Sequence, residues 1–400
     1  MKRTRLFALL LTLLTACSLL PAAASAEDAA WLVPRSGQAP AFSDTAGLWC
    51  EEDVRTVCEA GLMEGASPEF FHPATPLTNA QITVIAARLH QLLRGGDGLL
   101  PDDGAVWYQS AVTYLKKNCA AGPVQTFLSG FDPSGKPDFA YLPCTRSAFV
   151  SMLAGVLPEK SLPPRNSLSL VPDSLNGDVL LFYRAGILKG TDPYGTFRGN
   201  QPLTRGAAAA MLARLVDPAR RLTFTLQPFD LCRDVLQLEP ETALLTVDGA
   251  PVPAALLVNQ LCTSLCQWEG RADKAMEDTT RFWCDYYAPF QLLAARQGIR
   301  LSDQEQKACR DYGRTQAGYL GLSASYWQRQ DENSKLNLKL RSGYVDADWK
   351  QGEAAYHKAL EACSKQLLET AAPTKAFQSL DLRAVYSRLT ASPFMSWYHF

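Results

Sequence analysis

The sequence predicts a mainly α protein: three helix-loop-helix repeats, then a helical domain that carries a short strand pair. Three observations predict it. One phrase recurs, as "TPLTNAQITVIAARL" from Thr75 to Leu89, "YLPCTRSAFVSMLAGVL" from Tyr141 to Leu157 and "NQPLTRGAAAAMLARL" from Asn200 to Leu215, and such self-similarity marks a repeat architecture. In the last copy Ala208, Met211, Leu212 and Leu215 fall at the i, i+3, i+4, i+7 positions of one helix face. Beyond it, long helical patterns dominate, interrupted by two short stretches of strand-like alternation.

The chain begins with a leader. Lys2, Arg3 and Arg5 precede an apolar run from Leu6 to Leu14, and Ala24-Ser25-Ala26 offers a small-residue cleavage site, so residues 1–26 read as a secretory signal. Leu14-Thr15-Ala16-Cys17 also fits a lipobox, which would place a lipid on Cys17. No other stretch approaches the ~18 apolar residues needed to span a bilayer. The 400 residues suggest about two or three folding units. With 39 basic and 40 acidic side chains, three of the basic ones in the leader, the remainder is slightly acidic, which gives no support to a nucleic-acid partner.

The repeats span residues 42–94, 101–158 and 171–218. Each opens with an aspartate before a helix: Asp44 with Trp49, Asp102 with Trp107, and Asp173 with Asp178 in the tryptophan's place. Gly61-Leu62-Met63-Glu64-Gly65 and Gly186-Ile187-Leu188-Lys189-Gly190 fit a helix stop and the turn after it. Phe71-x-Pro73, Phe131-Asp132-Pro133 and Phe197 supply one aromatic anchor per loop. Thr78, Thr145 and Thr204 sit where an N-cap belongs, with proline just ahead, and Thr78 with Gln81 has capping-box spacing. A unit of about 50 residues buries its apolar face poorly alone, so the three should pack together.

These motifs resemble the S-layer homology (SLH) domains that tether exported proteins to the bacterial cell wall. The resemblance rests on the Asp-x-x-x-x-Trp opening, the Gly-Ile/Leu-x-x-Gly turn, the Phe-x-Pro loop and the Thr-Arg at the last helix. It implies a pseudo-threefold bundle whose grooves bind pyruvylated secondary cell-wall polysaccharide at a Gram-positive-type cell surface. Arg146 and Arg205 fill the family's arginine position, and with Thr145, Thr204, Asp44 and Trp49 they form the glycan-binding set that it implies. Asn79 stands in the arginine position of the first repeat, and the acidic residue that often follows is replaced by Gln81, Ala148 and Ala207. A pyruvate ketal carries a carboxylate, which suits a helix N-terminus and an arginine fork.

Proline-rich stretches mark joints, and residues 219–242 read as a linker. Leu222, Phe224 and Leu226 alternate like a strand, as do Leu245 and Val247, with Asp248-Gly249 as the turn after them. Helices are expected over Ala254–Glu269, Ala272–Gln297 with a break at Pro289, Ser302–Leu320, Ser323–Leu340 and Asp346–Thr370. "LLTVDGAPVPAALLVNQL" with "LLAARQGIRLSDQEQKACRDY" resembles the N-terminal region of exported SurA/PrsA-type foldases. That resemblance implies a SurA-N-like helical domain over 243–390, without room for a parvulin isomerase module, and a chaperone-like affinity for unfolded peptides. Trp283, Tyr287 and Phe290, flanking or within the row Phe282, Tyr286 and Phe290, are its candidate peptide-binding residues; a buried core row explains the same spacing.

Of the eleven cysteines, Cys50 and Cys58 lie about 12 Å apart by helical rise, too far to bridge. The cysteines read by default as small buried hydrophobes, and Cys119 with Cys144, both in the second repeat, is the one disulfide pairing to test. The four histidines, His72, His90, His357 and His399, are scattered, and no Gly-x-Ser-x-Gly, Walker loop or cofactor or metal motif is present. The sequence therefore reads as a non-enzymatic, cofactor-free surface binding protein, with a purely structural surface-layer protein or an unrecognised surface hydrolase as alternatives.

Overall fold

A computed structural model of the chain describes residues 41–101, 106–119, 122–131, 138–158, 162–344 and 349–396. The leader with Cys17, together with Asp102, Asp132, Pro133 and His399, lies outside the described residues. The described chain is mainly helical, with one small antiparallel sheet. It divides into two compact units, the first comprising the chain up to Cys144 with Ser151–Pro163 and Pro202–Leu222. The second comprises Thr145–Val150, Pro164–Gln201 and the chain from Thr223 onward, so the dividing line passes through residues assigned to both the second and the third repeat.

The repeat region carries α1 (Glu51–Glu59), α2 (Asn79–Leu93), α3 (Gln109–Asn118), α4 (Pro123–Leu128), α5 (Asp138–Tyr141), α6 (Arg146–Val156), α7 (Gly177–Arg184) and α8 (Arg205–Val216). The three threonines cap helices as their positions predict. Thr78, Thr145 and Thr204 accept from the N–H groups of Gln81, Ala148 and Ala207 at 3.3, 3.2 and 3.3 Å, and only Thr78 completes a capping box. In the first unit α1 lies along α8 and α3 along α2. There the residues ahead of the caps join in a ring: Leu77 N–H donates to the Leu203 carbonyl (2.7 Å), Leu203 N–H to that of Cys144 (2.9 Å), and Cys144 N–H to that of Leu77 (2.7 Å). Each segment thus satisfies one buried donor and one buried acceptor without forming a sheet.

In the second unit β1 (Ala243–Val247) pairs antiparallel with β2 (Ala250–Pro253) across the Asp248-Gly249 turn, where both residues have positive φ (49° and 75°) as a type I′ turn requires. A third strand, β3 (Ala372–Pro373), adds to the other edge of β1. Between the strands run α9 (Ala254–Gln267), α10 (Ala272–Phe282), a π turn (Trp283–Tyr287), α11 (Ala288–Gln297), α12 (Asp303–Gln316), α13 (Ala324–Tyr344) and α14 (Trp349–Thr370). Helices α15 (Lys375–Gln378) and α16 (Leu382–Ala391) close the chain. The break expected at Pro289 is seen as this π turn, and Pro289 itself falls in the first turn of α11, where a missing N–H costs no intrahelical bond. Gly298 stops α11 at φ 67°, and Ser302 with Glu305 forms the capping box of α12. Leu231, Leu244, Leu257, Leu261, Phe377 and Val385 centre the core.

The alternation at Leu222, Phe224 and Leu226 forms no strand. Its backbone bonds go elsewhere: Phe224 N–H donates to the Asn166 side-chain oxygen (3.0 Å) and Gln227 N–H to the Pro193 carbonyl (3.0 Å), so no ladder can form. Within the second unit this stretch, expected as linker, packs by its side chains: Phe224 against Tyr183 and Phe229 against Tyr194. Cys119 and Cys144 form no disulfide, nor does any other of the ten described cysteines, most of which are buried. Burial pushes the Cys58, Cys144 and Cys232 thiols up to about 12.

Candidate functional site

Two phenylalanine turns are wired alike. In the first unit the N–H groups of Phe71 and His72 donate to the two oxygens of Asp44 at 2.9 and 2.7 Å. The Phe71 carbonyl accepts from Arg205 Nε at 2.9 Å, and the guanidinium lies 4.4 Å from the Phe71 ring centre. In the second unit Phe197 and Arg198 donate to Asp173 at 2.5 and 2.6 Å, while the Phe197 carbonyl accepts from Arg146 Nε at 2.6 Å under a guanidinium 5.3 Å from its ring. His72 and Arg198 each hold a left-handed φ, 59° and 57°. That conformation costs a residue with a β-carbon about 1–2 kcal/mol. The paired carboxylate bonds on adjacent N–H groups offset the cost.

The two carboxylates titrate in opposite directions. Burial raises the pKa of Asp44, but the bonds from Phe71 and His72 and the nearby imidazole outweigh it, and the carboxyl falls below its ordinary value. At Asp173 burial prevails over the same kind of bonds, and the carboxyl rises. Burial likewise lowers both arginines, with Asp173 opposing at Arg146 and Asp44 opposing at Arg205.

Of the glycan-binding set, Thr145 and Thr204 are thus helix caps, Asp44 clamps a turn, and Arg146 and Arg205 hold phenylalanine carbonyls. Arg205, 7% exposed, also donates from Nη2 to the Glu64 carbonyl at 2.7 Å. Asn79, in the arginine position of the first repeat, does a shorter version of the same task by donating from Nδ2 to the Phe139 carbonyl at 3.0 Å. Trp49 stands 70% exposed.

The first unit holds a cavity of about 580 Å³ with Arg205 among its lining. One side is the Leu62–Ala66 turn; another is the α2 stripe Gln81, Val84, Ile85 and Arg88; the last is Leu99–Pro101 with Trp107 and Ser110. Trp107 is 53% exposed and meets Tyr108 edge to face. Arg88 Nη2 pairs with Glu64 Oε1 at 2.6 Å. An exposed indole, two guanidinium groups and a polar rim are what a sugar ring bearing a carboxylate requires: a flat apolar face and a forked cationic donor. The sequence names Trp107 as a repeat opening, and 81, 84, 85 and 88 follow helical spacing, but only the fold brings them to Arg205.

The second unit holds a cavity of about 510 Å³, lined by the β2 edge, Trp283, Tyr287, Leu292, Arg329 and Glu332 among others. Trp283 and Tyr287 stack at 5.3 Å. Phe290 instead packs against a separate cluster around Leu293, Leu340 and Tyr356, and Tyr286 is 64% exposed. The aromatic row is therefore divided among a cavity wall, a core and solvent. Among the described residues no three His, Cys, Asp or Glu side chains gather as a metal site, and no helix is long and apolar enough to cross a membrane.

Comparison with protein-family models, with curated proteins and with solved structures finds no match.

Proposed function

We propose that this chain is an exported, cell-wall-anchored binding protein whose three SLH-like repeats form a pseudo-threefold bundle and bind secondary cell-wall polysaccharide. The observation that carries the reading is the cavity of about 580 Å³ whose lining includes Trp107, Arg88 and Arg205. An acidic sugar would stack on the indole and present its carboxylate to the guanidinium groups, which charge-assisted bonds favour. The ring through Leu77, Cys144 and Leu203 supports the bundle, since three like segments bond head to tail around one centre. The protein acts by binding and carries out no reaction in this reading.

The test is co-sedimentation of the purified chain with cell-wall sacculi, before and after the secondary polysaccharide is stripped. Binding should be lost on stripping and weakened by Trp107→Ala, whose exposed side chain can be removed without opening the core. Equal binding to stripped sacculi rejects the reading. A second role is favoured by the cavity beside Trp283 and Tyr287: a SurA-N-like domain that takes up apolar side chains of unfolded exported polypeptides. The chain should then suppress aggregation of an unfolded client, and Trp283→Ala should reduce that protection while leaving far-UV circular dichroism unchanged. Undiminished protection removes the cavity from the account.

A further inference from the structure

Glu64 sits in the turn that borders the first cavity. Its carbonyl is fixed by Arg205 Nη2 (2.7 Å), while its carboxylate reaches Arg88 Nη2 (2.6 Å). The two ends of that ion pair are unequally held. The Arg88 side chain is 20% exposed and forms part of the cavity wall, whereas that of Glu64 is 72% exposed. The carboxylate is the partner that can leave, because it gives up little packing and regains water. An exposed pair of this kind contributes little and is readily exchanged.

We propose that Glu64 is a built-in competitor for the anion site at Arg88, and so sets how tightly the cavity holds acidic sugars. An acidic sugar replaces one carboxylate on Arg88 by another, and its binding is weakened by the cost of displacing Glu64. A neutral sugar has no anion to offer Arg88 and leaves the pair in place, so Glu64 weighs on acidic ligands alone. This rests on the acidic-glycan reading above.

The test titrates the purified chain and its Glu64→Gln variant calorimetrically with a pyruvate-ketal methyl hexosaminide and with the methyl ester of that ketal, at low and high salt. Removing a solvent-exposed competing charge should tighten the ketal about two- to fivefold. The gain should shrink at high salt, as exposed electrostatics do. The ester should be unaffected, and the gain should vanish in an Arg88→Gln background, which isolates the pairwise coupling. Measurable ketal binding to the unaltered chain with no change in Glu64→Gln overturns the competitor while leaving the acidic-glycan reading intact. Equal tightening of ketal and ester also overturns it, since the effect of Glu64 would then not depend on the charge of the ligand. Ketal binding to neither protein removes the acidic-glycan reading and the competitor with it.

Discussion

The Phe71 and Phe197 turns use the same three parts, an aspartate on two N–H groups, an arginine on a carbonyl and a left-handed residue between, in two different settings. Beside Phe71, Arg205 borders an open cavity and Asp44 is drawn below its ordinary pKa. At the Phe197 turn, Leu320 N–H donates to the carbonyl of Pro172, next to Asp173, at 3.0 Å, and Asp173 is raised. The wiring therefore makes the turn, and the surroundings decide its electrostatics. An arginine at this position has a structural role before it has any ligand.

The largest expected effect tests whether the turns are equivalent. Phe71 and Phe197 are both fully buried, so Phe71→Ala and Phe197→Ala should each cost about 3–5 kcal/mol in urea unfolding. A much smaller loss at one of them would break the equivalence. Next come the arginines. Arg205→Ala strips the donors from two carbonyls and should cost about 2–3 kcal/mol, with a smaller loss for Arg146→Ala, which frees the one carbonyl of Phe197. Equal losses would mean that the Glu64 carbonyl bond adds nothing.

The pH dependence sharpens the contrast. Asp44, lowered in the fold, contributes stability that is fully present above its unfolded pKa, about 3.9, and is lost as pH falls through its folded value. Asp173, raised in the fold, has the opposite sign: its contribution is most favourable below the unfolded pKa and declines as pH rises through the folded one. Unfolding free energies of Asp44→Asn and Asp173→Asn measured across this acid range should therefore differ from the unaltered chain with opposite slopes; parallel profiles would contradict the assigned settings. The smallest effect concerns the caps. Thr204→Ala should lower the melting free energy by about 1 kcal/mol. Thr78→Ala should lose somewhat more, because its capping box is complete.

What the sequence disclosed is what its local spacing determines. Thr78 with Gln81, Ser302 with Glu305, Gly298 and Asp248-Gly249 are each decided within a few residues, and the helices follow their apolar stripes. The turn wiring was out of reach because its partners are remote: Asp44 and Phe71 lie 27 positions apart, and Arg205 and Phe71 lie 134 apart. The strand β3 was missed for the same reason, since Thr246 meets Ala372 across 126 positions. The alternation at Leu222 to Leu226 misled because apolar periodicity reports which faces are buried, and a partner strand must come from elsewhere. Arg146 and Arg205 were legible as important, and their tasks were not, since a forked donor suits a backbone carbonyl as well as an acidic sugar.

The ring formed by Leu77, Cys144 and Leu203 also bears on how such a chain could change over time. A closed circuit has no loose end, whereas two segments would leave one donor and one acceptor stranded. Deleting a single copy of the repeat would therefore break two links at once, and inserting one would force the circle to open before it could widen. Closure therefore binds the three segments into one set that is kept or lost together.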